Sequence, residues 1–473
     1  MKFVKTVLKG SIPVWVFILF LIIGGIIGCD NDTTTEYITT KTDADWEYKY
    51  EDQFNSYIEA AWNQTYRVRS HANLEALLNT TNNTNNPGCY SCKSSYSMNA
   101  LYDKYGDELW NMTYNQVRTK IGKFWSCSDC HKGDPGNKNV GAQGVIYPIM
   151  ARDFFKKLAP ADAACGQCHN ILGGMTRRIV QLPQNVAGGL KSLDAYKYGT
   201  GPQAIADIMY EFGDRLDSGG SGQTGVIRNV RHFTAGHPDI EFYYLSADGV
   251  VATAAAGTGG SSHKNAGLRC VDCHMQMKTN AGGKEFRSHN ASGPIVLATS
   301  FTTDAGAPIA GNLQVNLDKC LECHTTNSVG SSARVTDRAS MLTFFIGKKN
   351  DIKTLSETVR AKFYALASLI GYDPADPNQP DLANGVIGSG SARAPAPQLA
   401  PIGGPLDLEA REVFSMAVWY REYAESHRKS ASATNWYSGG KAAAMNYYLS
   451  MKVLGQANAS LDAFAAKAGI TLP

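Results

Sequence analysis

Excess charge of either sign is missing from this chain of 473 residues, in which 45 Lys+Arg face 42 Asp+Glu for a formal charge of +3. Without a basic stripe there is no electrostatic reason to expect a nucleic acid partner. Long apolar runs are scarce, and the one that stands out, Ile12 to Ile27, lies at the N-terminus. That excludes a polytopic membrane protein. A composition of 43% hydrophobic and 18% charged residues excludes a disordered one. Histidine is also sparse, with ten in the chain. Against these absences stand eleven cysteines, ten of which form five pairs with two residues between, leaving Cys29 alone.

Lys2, Lys5 and Lys9 precede the apolar run, and Ile26-Ile27-Gly28 leads directly into Cys29. This pattern resembles a bacterial lipoprotein signal over residues 1–28, with Cys29 as the lipidated first residue of the mature chain. An uncleaved anchor is the competing reading, but about sixteen apolar residues fall short of the ~20 that a spanning helix needs. Both readings export the bulk of the chain as a membrane-anchored protein facing the periplasm or cell exterior. Residues 29–45, rich in Thr and Asp, read as a flexible tether.

Four cysteine pairs are followed at once by histidine: Cys127-Ser-Asp-Cys130-His131, Cys165-Gly-Gln-Cys168-His169, Cys270-Val-Asp-Cys273-His274 and Cys320-Leu-Glu-Cys323-His324. Each is a c-type haem attachment sequence. Two thiols one helical turn apart bond the two vinyl groups of one porphyrin, and the adjacent imidazole ligates its iron. At this composition roughly 0.005 such motifs would arise by chance. Zinc ribbons do not need a histidine after each pair, and thioredoxin-type pairs do not recur fourfold in an exported chain. In the fifth pair, Cys89-Tyr-Ser-Cys92-Lys93, lysine stands where the proximal histidine would be. Beside four intact sites it reads as a fifth haem with an amine ligand, and a haem with a different axial ligand is the one expected to act differently.

With four histidines used as proximal ligands, His71, His232, His237, His263, His289 and His427 remain. Four low-spin haems need four distal ligands, so two histidines are surplus. His232 and His237 are the surplus pair, five residues apart, and one of them is a candidate proton donor.

The order of motifs resembles the ammonia-forming cytochrome c nitrite reductase family, which carries a Cys-x-x-Cys-Lys site followed by four Cys-x-x-Cys-His sites. Arg69-Ser-His71-Ala, His237-Pro-Asp-Ile-Glu, His263-Lys-Asn, Met275 after the fourth motif and Ser426-His427 extend the similarity from about Trp46 to the C-terminus. The resemblance implies that Lys93 is the proximal ligand of the catalytic haem and His237 its distal histidine. It also implies His289 on the haem of Cys127, His71 on that of Cys165, His427 on that of Cys270 and His263 on that of Cys320. Five covalent haems c, a small-molecule substrate, a redox partner such as a quinol-oxidising membrane cytochrome, and a homodimer follow from the same likeness.

The chain departs from the family pattern at three places. No arginine lies between His71 and Cys89, Asn170-Ile171 stands where the family has Glu-Tyr, and Thr234 and Gly236 replace the lysine and glutamine flanking its calcium. Calcium is therefore not expected. Arg67, Arg69, Arg228 and Arg231 are the arginines near the relevant histidines in sequence. Two functions remain in view. One is reduction of a small nitrogen oxyanion, nitrite to ammonium, or of hydroxylamine. The other is electron transfer alone, with a sixth ligand closing the Lys93 haem, within an extracellular conduit in one form of that reading.

Apolar residues recur at helical spacing at Ile352, Leu355, Val359, Phe363, Leu366 and Ile370, and again at Leu406, Ala410, Val413, Ala417, Tyr420, Ala424 and His427. Residues 373–405 read as a Pro/Gly-rich linker. A third helix is expected over Trp436 to Ala465. Residues 46–335 then form a pentahaem-binding region and 336–473 a C-terminal helical region. The fold class expected is mainly α: a multihaem cytochrome c domain with few strands and a C-terminal long-helix hairpin.

Overall fold

The cysteine-bearing half is built from short helices and turns, and the C-terminal third from long ones. The computed structural model describes residues 46–59, 87–122, 124, 126–137, 140–141, 152–170, 196–207, 238–289, 295–296, 314–315, 318–325, 335–369, 405–425 and 440–473. The signal run, Cys29, His71, His232, His237, His427, the four named arginines and nearly all of the 373–405 linker lie outside them.

The helices of the first half are α1 (Glu51–Glu59), α2 (Ser95–Tyr105), α3 (Tyr114–Arg118), α4 (Arg152–Phe155), α5 (Pro160–Gly166), α6 (Asp239–Tyr244), α7 (Ser262–Asn265), α8 (Cys270–His274) and α9 (Asp318–His324). Two small antiparallel ribbons interrupt them: β1 (Met277–Thr279) pairs with β2 (Glu285–Arg287), and β3 (Ile295–Val296) with β4 (Gln314–Val315). Asn280 shapes the first ribbon's turn, accepting from Gly282 and Lys284 N–H through its side chain. Its amide also donates to Asp52 of α1, so the hairpin is pinned to the first helix.

The long helices are α10 (Arg338–Leu369), α11 (Pro405–Glu425) and α12 (Gly440–Ala468), and all three pack on one another. Ile352, Val359, Phe363 and Leu366 of the first stripe are buried, as are Ala410, Ala417 and Ala424 of the second. The first helix begins earlier than its stripe. Asp337 caps it by accepting from Ser340 N–H at 2.7 Å, a bond that also holds the Asp337 carboxyl below its ordinary range. The polar run Gly347–Asp351 hides this start from a periodicity argument.

The helical bundle grips the first half through side chains aimed at backbone carbonyls. Trp419 Nε1 donates to Pro202 O at 2.7 Å and Tyr423 Oη to Thr200 O at 2.9 Å, both from buried positions. Within the bundle, Arg421 Nε donates to Ser356 Oγ at 2.7 Å. The path of α12 breaks at Asn446 (φ −160°, ψ 75°), where the amide turns to donate to Phe242 O at 2.9 Å and Leu245 O at 2.7 Å. These carbonyls close the C-terminal end of α6, the short helix that follows His237. Replacing Asn446 by Ala strips buried acceptors of their donor, which costs about 1–3 kcal/mol. Urea denaturation followed by circular dichroism is expected to show a loss of that size.

Candidate functional site

The lysine site sits on a 3-10 turn, Pro87–Cys92, with Lys93 N–H donating to Tyr90 O at 2.8 Å. Tyr90 is fully buried and stacks on Tyr114 (4.2 Å between ring centres) and Phe124 (5.6 Å). That aromatic stack fixes the turn from below and leaves Lys93 half-buried.

Buried carboxylates lock successive cysteine segments together. Asp129, inside the second segment, accepts from Tyr96 N–H of α2 at 2.8 Å and from Ser126 N–H at 2.7 Å. The Asp129 carbonyl takes a hydrogen bond from Gln167 of the third segment. Asp162, fully buried in α5, accepts from Cys270 N–H at 2.9 Å and from Tyr244 Oη at 2.5 Å, tying the third segment to the fourth and to α6. Arg287 of β2 donates to Val271 O and Met275 O around the fourth segment. Asp318 at the start of α9 pairs with Arg338 at the start of α10.

As a result the thiols form a sequence in space. The Cys92 thiol reaches the Cys168 carbonyl at 4.0 Å, and Cys165 and Cys270 lie close enough to perturb each other's thiols. Burial, helped by the nearby Cys320, pushes the Cys273 thiol up to about 11. Cys130 lies within electrostatic reach of both Cys165 and Cys168. The anchors therefore run from the lysine segment to the third, fourth and fifth, with the second branching at the third.

Two pairs of histidines meet across these segments. His131 and His289 have ring centres 6.2 Å apart with planes at 24°, and His263 and His324 have centres 6.2 Å apart with planes at 72°. Metal–imidazole nitrogen bonds are about 2.0–2.1 Å, so two trans imidazoles on one metal stand roughly 6.3 Å centre to centre. Both separations fit that span. His289 is carried there by β2: its N–H donates to Ser56 Oγ of α1 at 2.8 Å and its Nδ1–H to Arg287 O at 3.1 Å, which leaves Nε2 as the free lone pair. The His131 Nδ1 atom is buried with no hydrogen-bond partner among the described residues, so hydrogen bonding does not account for where that ring is held. Burial and the neighbouring His289 push the His131 imidazole down to about 4, and burial lowers His263, His289 and His324 as well. All four rings are thus held in the neutral form that a metal ligand requires.

His169 and His274 are also described, but His71 and His427, expected opposite them, lie outside the described residues, as does His237. The Cys89 backbone belongs to the 3-10 turn. Sequence reasoning missed the carboxylates Asp129, Asp162 and Asp239, because each acts on a segment distant in the chain. Loop 246–261 is exposed at 248–250 and 255–258 but buries Ala252 in the core, and Gly259 N–H donates to Asn265 Oδ1 at 2.9 Å and Lys264 Nζ to Thr258 Oγ1 at 3.0 Å. Among the described residues no three His, Cys, Asp or Glu side chains gather around a single bare-ion position.

No family model matches the chain. It is 24% identical to cytochrome c-552 of Haemophilus influenzae over 295 residues, covering 59% of this chain and 46% of that one. It is 21% identical to the cytochrome c nitrite reductase subunit NrfA of Nitratidesulfovibrio vulgaris over 325 residues, covering 65% and 54%. Cytochrome c-552 of Bacteroides fragilis aligns over 223 residues at 23% identity, covering 44% and 36%. The chain thus spans about a third to a half of the length of these relatives. Among solved structures, the cytochrome c nitrite reductase of Desulfovibrio desulfuricans aligns with a TM-score of 0.47 and 14% identity, covering 90% of this chain and 87% of that one. By its four Cys-x-x-Cys-His segments and these curated sequence matches, the chain is similar to multihaem c-type cytochromes. Within that class it is similar to the cytochrome c nitrite reductases.

Gly166, between Cys165 and Gln167, lets α5 approach α6: a Cβ there would lie 2.8 Å from Ile240 Cγ1 and 3.2 Å from Ile240 Cβ. A β-branched side chain cannot swing clear of such a contact. Gly166→Ala is expected to cost about 1–3 kcal/mol by overpacking. Thermal unfolding of the variant beside the native chain measures it.

Proposed function

We propose that this chain is an exported pentahaem c-type cytochrome that reduces a small nitrogen oxyanion, nitrite to ammonium, or hydroxylamine, at the site of Lys93. The carrying observation is the contrast between sites: two proximal histidines, His131 and His324, each face a second imidazole at ligand spacing, while Lys93 replaces histidine in the first segment. Cys89 and Cys92, Cys127 and Cys130, Cys165 and Cys168, Cys270 and Cys273, and Cys320 and Cys323 would hold the five groups. Haem c supplies one-electron transfer when bound, tuned by its axial ligands.

The protein's own part begins with His289, whose bond to the Arg287 carbonyl orients its ring. The order of anchors gives electrons a path from the fifth, fourth and second segments through the third to Lys93. Lys93 is the residue that would hold the iron of that group, in place of a proximal histidine. His237, one residue before Pro238 and α6, holds a proton for the bound oxyanion. Taking nitrite to ammonium consumes six electrons, which an array of linked sites can store and deliver. Export through the 1–28 signal, lipidation at Cys29, supply of electrons by a quinol-oxidising membrane cytochrome, and pairing of two copies through the C-terminal helices complete the reading.

One observation favours electron transfer alone. Asn170 stands where the family has glutamate, and it is fully buried with its amide donating to Gly166 O at 2.6 Å. Its amide is tied to α5 and brings no carboxylate to that position.

Electron paramagnetic resonance of the oxidised protein separates the two. Catalysis at Lys93 requires a high-spin ferric signal that nitrite perturbs, together with nitrite consumption from a reduced viologen; five low-spin signals and no turnover would leave electron transfer alone. The His131 and His289 planes, near parallel, are expected to give a rhombic low-spin signal, and the steeply crossed His263 and His324 planes a strongly anisotropic one. His289→Ala is expected to abolish the rhombic signal from that site and leave the anisotropic one in place.

A further inference from the structure

The segment that follows His237 is bonded to the third cysteine segment at two points. Asp239 Oδ2 lies 2.8 Å from His169 Nδ1, and Ile240 N–H donates to His169 O at 3.1 Å. The Asp239 side chain is 8% exposed and the His169 ring 43%, so the carboxylate is the shielded end of the contact, and burial strengthens what it accepts. Asp239 is held there from both ends of α6: Asn446 closes the carbonyls at the far end, and Ile240 packs against Gly166. A carboxylate acceptor differs from what His289 uses, since its Nδ1–H donates to the backbone carbonyl of Arg287.

We propose that Asp239 is a positioning residue that sets the reduction potential of the haem carried by Cys165 and Cys168. Its carboxylate accepts the Nδ1 proton of His169, fixes the ring with Nε2 toward the iron, and raises the electron density of the ligand. A more basic imidazole stabilises the ferric over the ferrous form, so this haem sits lower in potential than it would with a neutral acceptor. The anchors place this haem at the branch between the second, fourth and lysine segments. A low potential there poises electrons to run on to Lys93. Because Asp239 is two residues from His237, one short segment serves both the branch haem and the substrate side. The inference rests on His169 being a haem ligand.

Redox titration of the full, haem-loaded chain, followed in the visible spectrum and with haem content measured as the pyridine haemochrome, tests this. Fewer than five haems in the native chain would fail the pentahaem reading itself. With five present, Asp239→Asn is expected to shift the ferric-to-ferrous equilibrium of one component about tenfold toward ferrous, about 59 mV for a one-electron couple, with the others unmoved. Asp239→Glu, which keeps the carboxylate, is expected to restore most of the shift. If D239N loses one haem while D239E retains five, the carboxylate is again what holds the ring. Five haems with unchanged potentials in D239N would overturn the proposal, and so would loss of the haem in both variants, which would mark Asp239 as a packing residue.

Discussion

The second, third and fourth cysteine segments depend on buried carboxylates that accept hydrogen bonds from neighbouring segments. Asp129 receives Tyr96 N–H, Asp162 receives Cys270 N–H and the Tyr244 hydroxyl, and Asp239 receives the His169 ring. Short helices of four to eleven residues cannot hold themselves together in water. These bonds substitute for the propensity and the apolar stripes that such segments lack. A buried carboxylate also carries a desolvation cost unless its oxygens are satisfied, which makes the arrangement specific: each segment fits only against the partner that supplies the donors.

The long helices work by a different principle. They bury continuous apolar faces against one another, then reach out with a few polar side chains to hold the first half. Trp419, Tyr423 and Asn446 all donate to backbone carbonyls, and Asn446 does so from a non-helical backbone position that kinks its own helix. The bundle thereby fixes α6, and α6 carries Asp239 to His169.

Sequence and structure agree most closely where a signal is local. The apolar stripes at Ile352–Leu366 and Ala410–Ala424 are each contained in a few turns of chain, and both form helices, α10 and α11. A simple count of histidines narrowed the candidate ligands, and the family resemblance supplied the pairing; two of the paired sets, His131 with His289 and His263 with His324, have rings at ligand spacing. What the residues alone did not reveal is long-range. Asp162 and Cys270 are separated by 108 positions and His169 and Asp239 by 70, and no pattern in composition or periodicity marks such partners. The early start of α10 was hidden for a local reason, since Gly347–Asp351 interrupts its apolar face. The third helix, expected from Trp436, is described from Gly440.

The central claim is that all five cysteine pairs, the one followed by Lys93 included, hold the same group. Intact mass spectrometry of the exported protein measures this directly. The account requires a chain carrying five covalent haems; a chain with four, and with Cys89 and Cys92 joined as a disulfide, would contradict it.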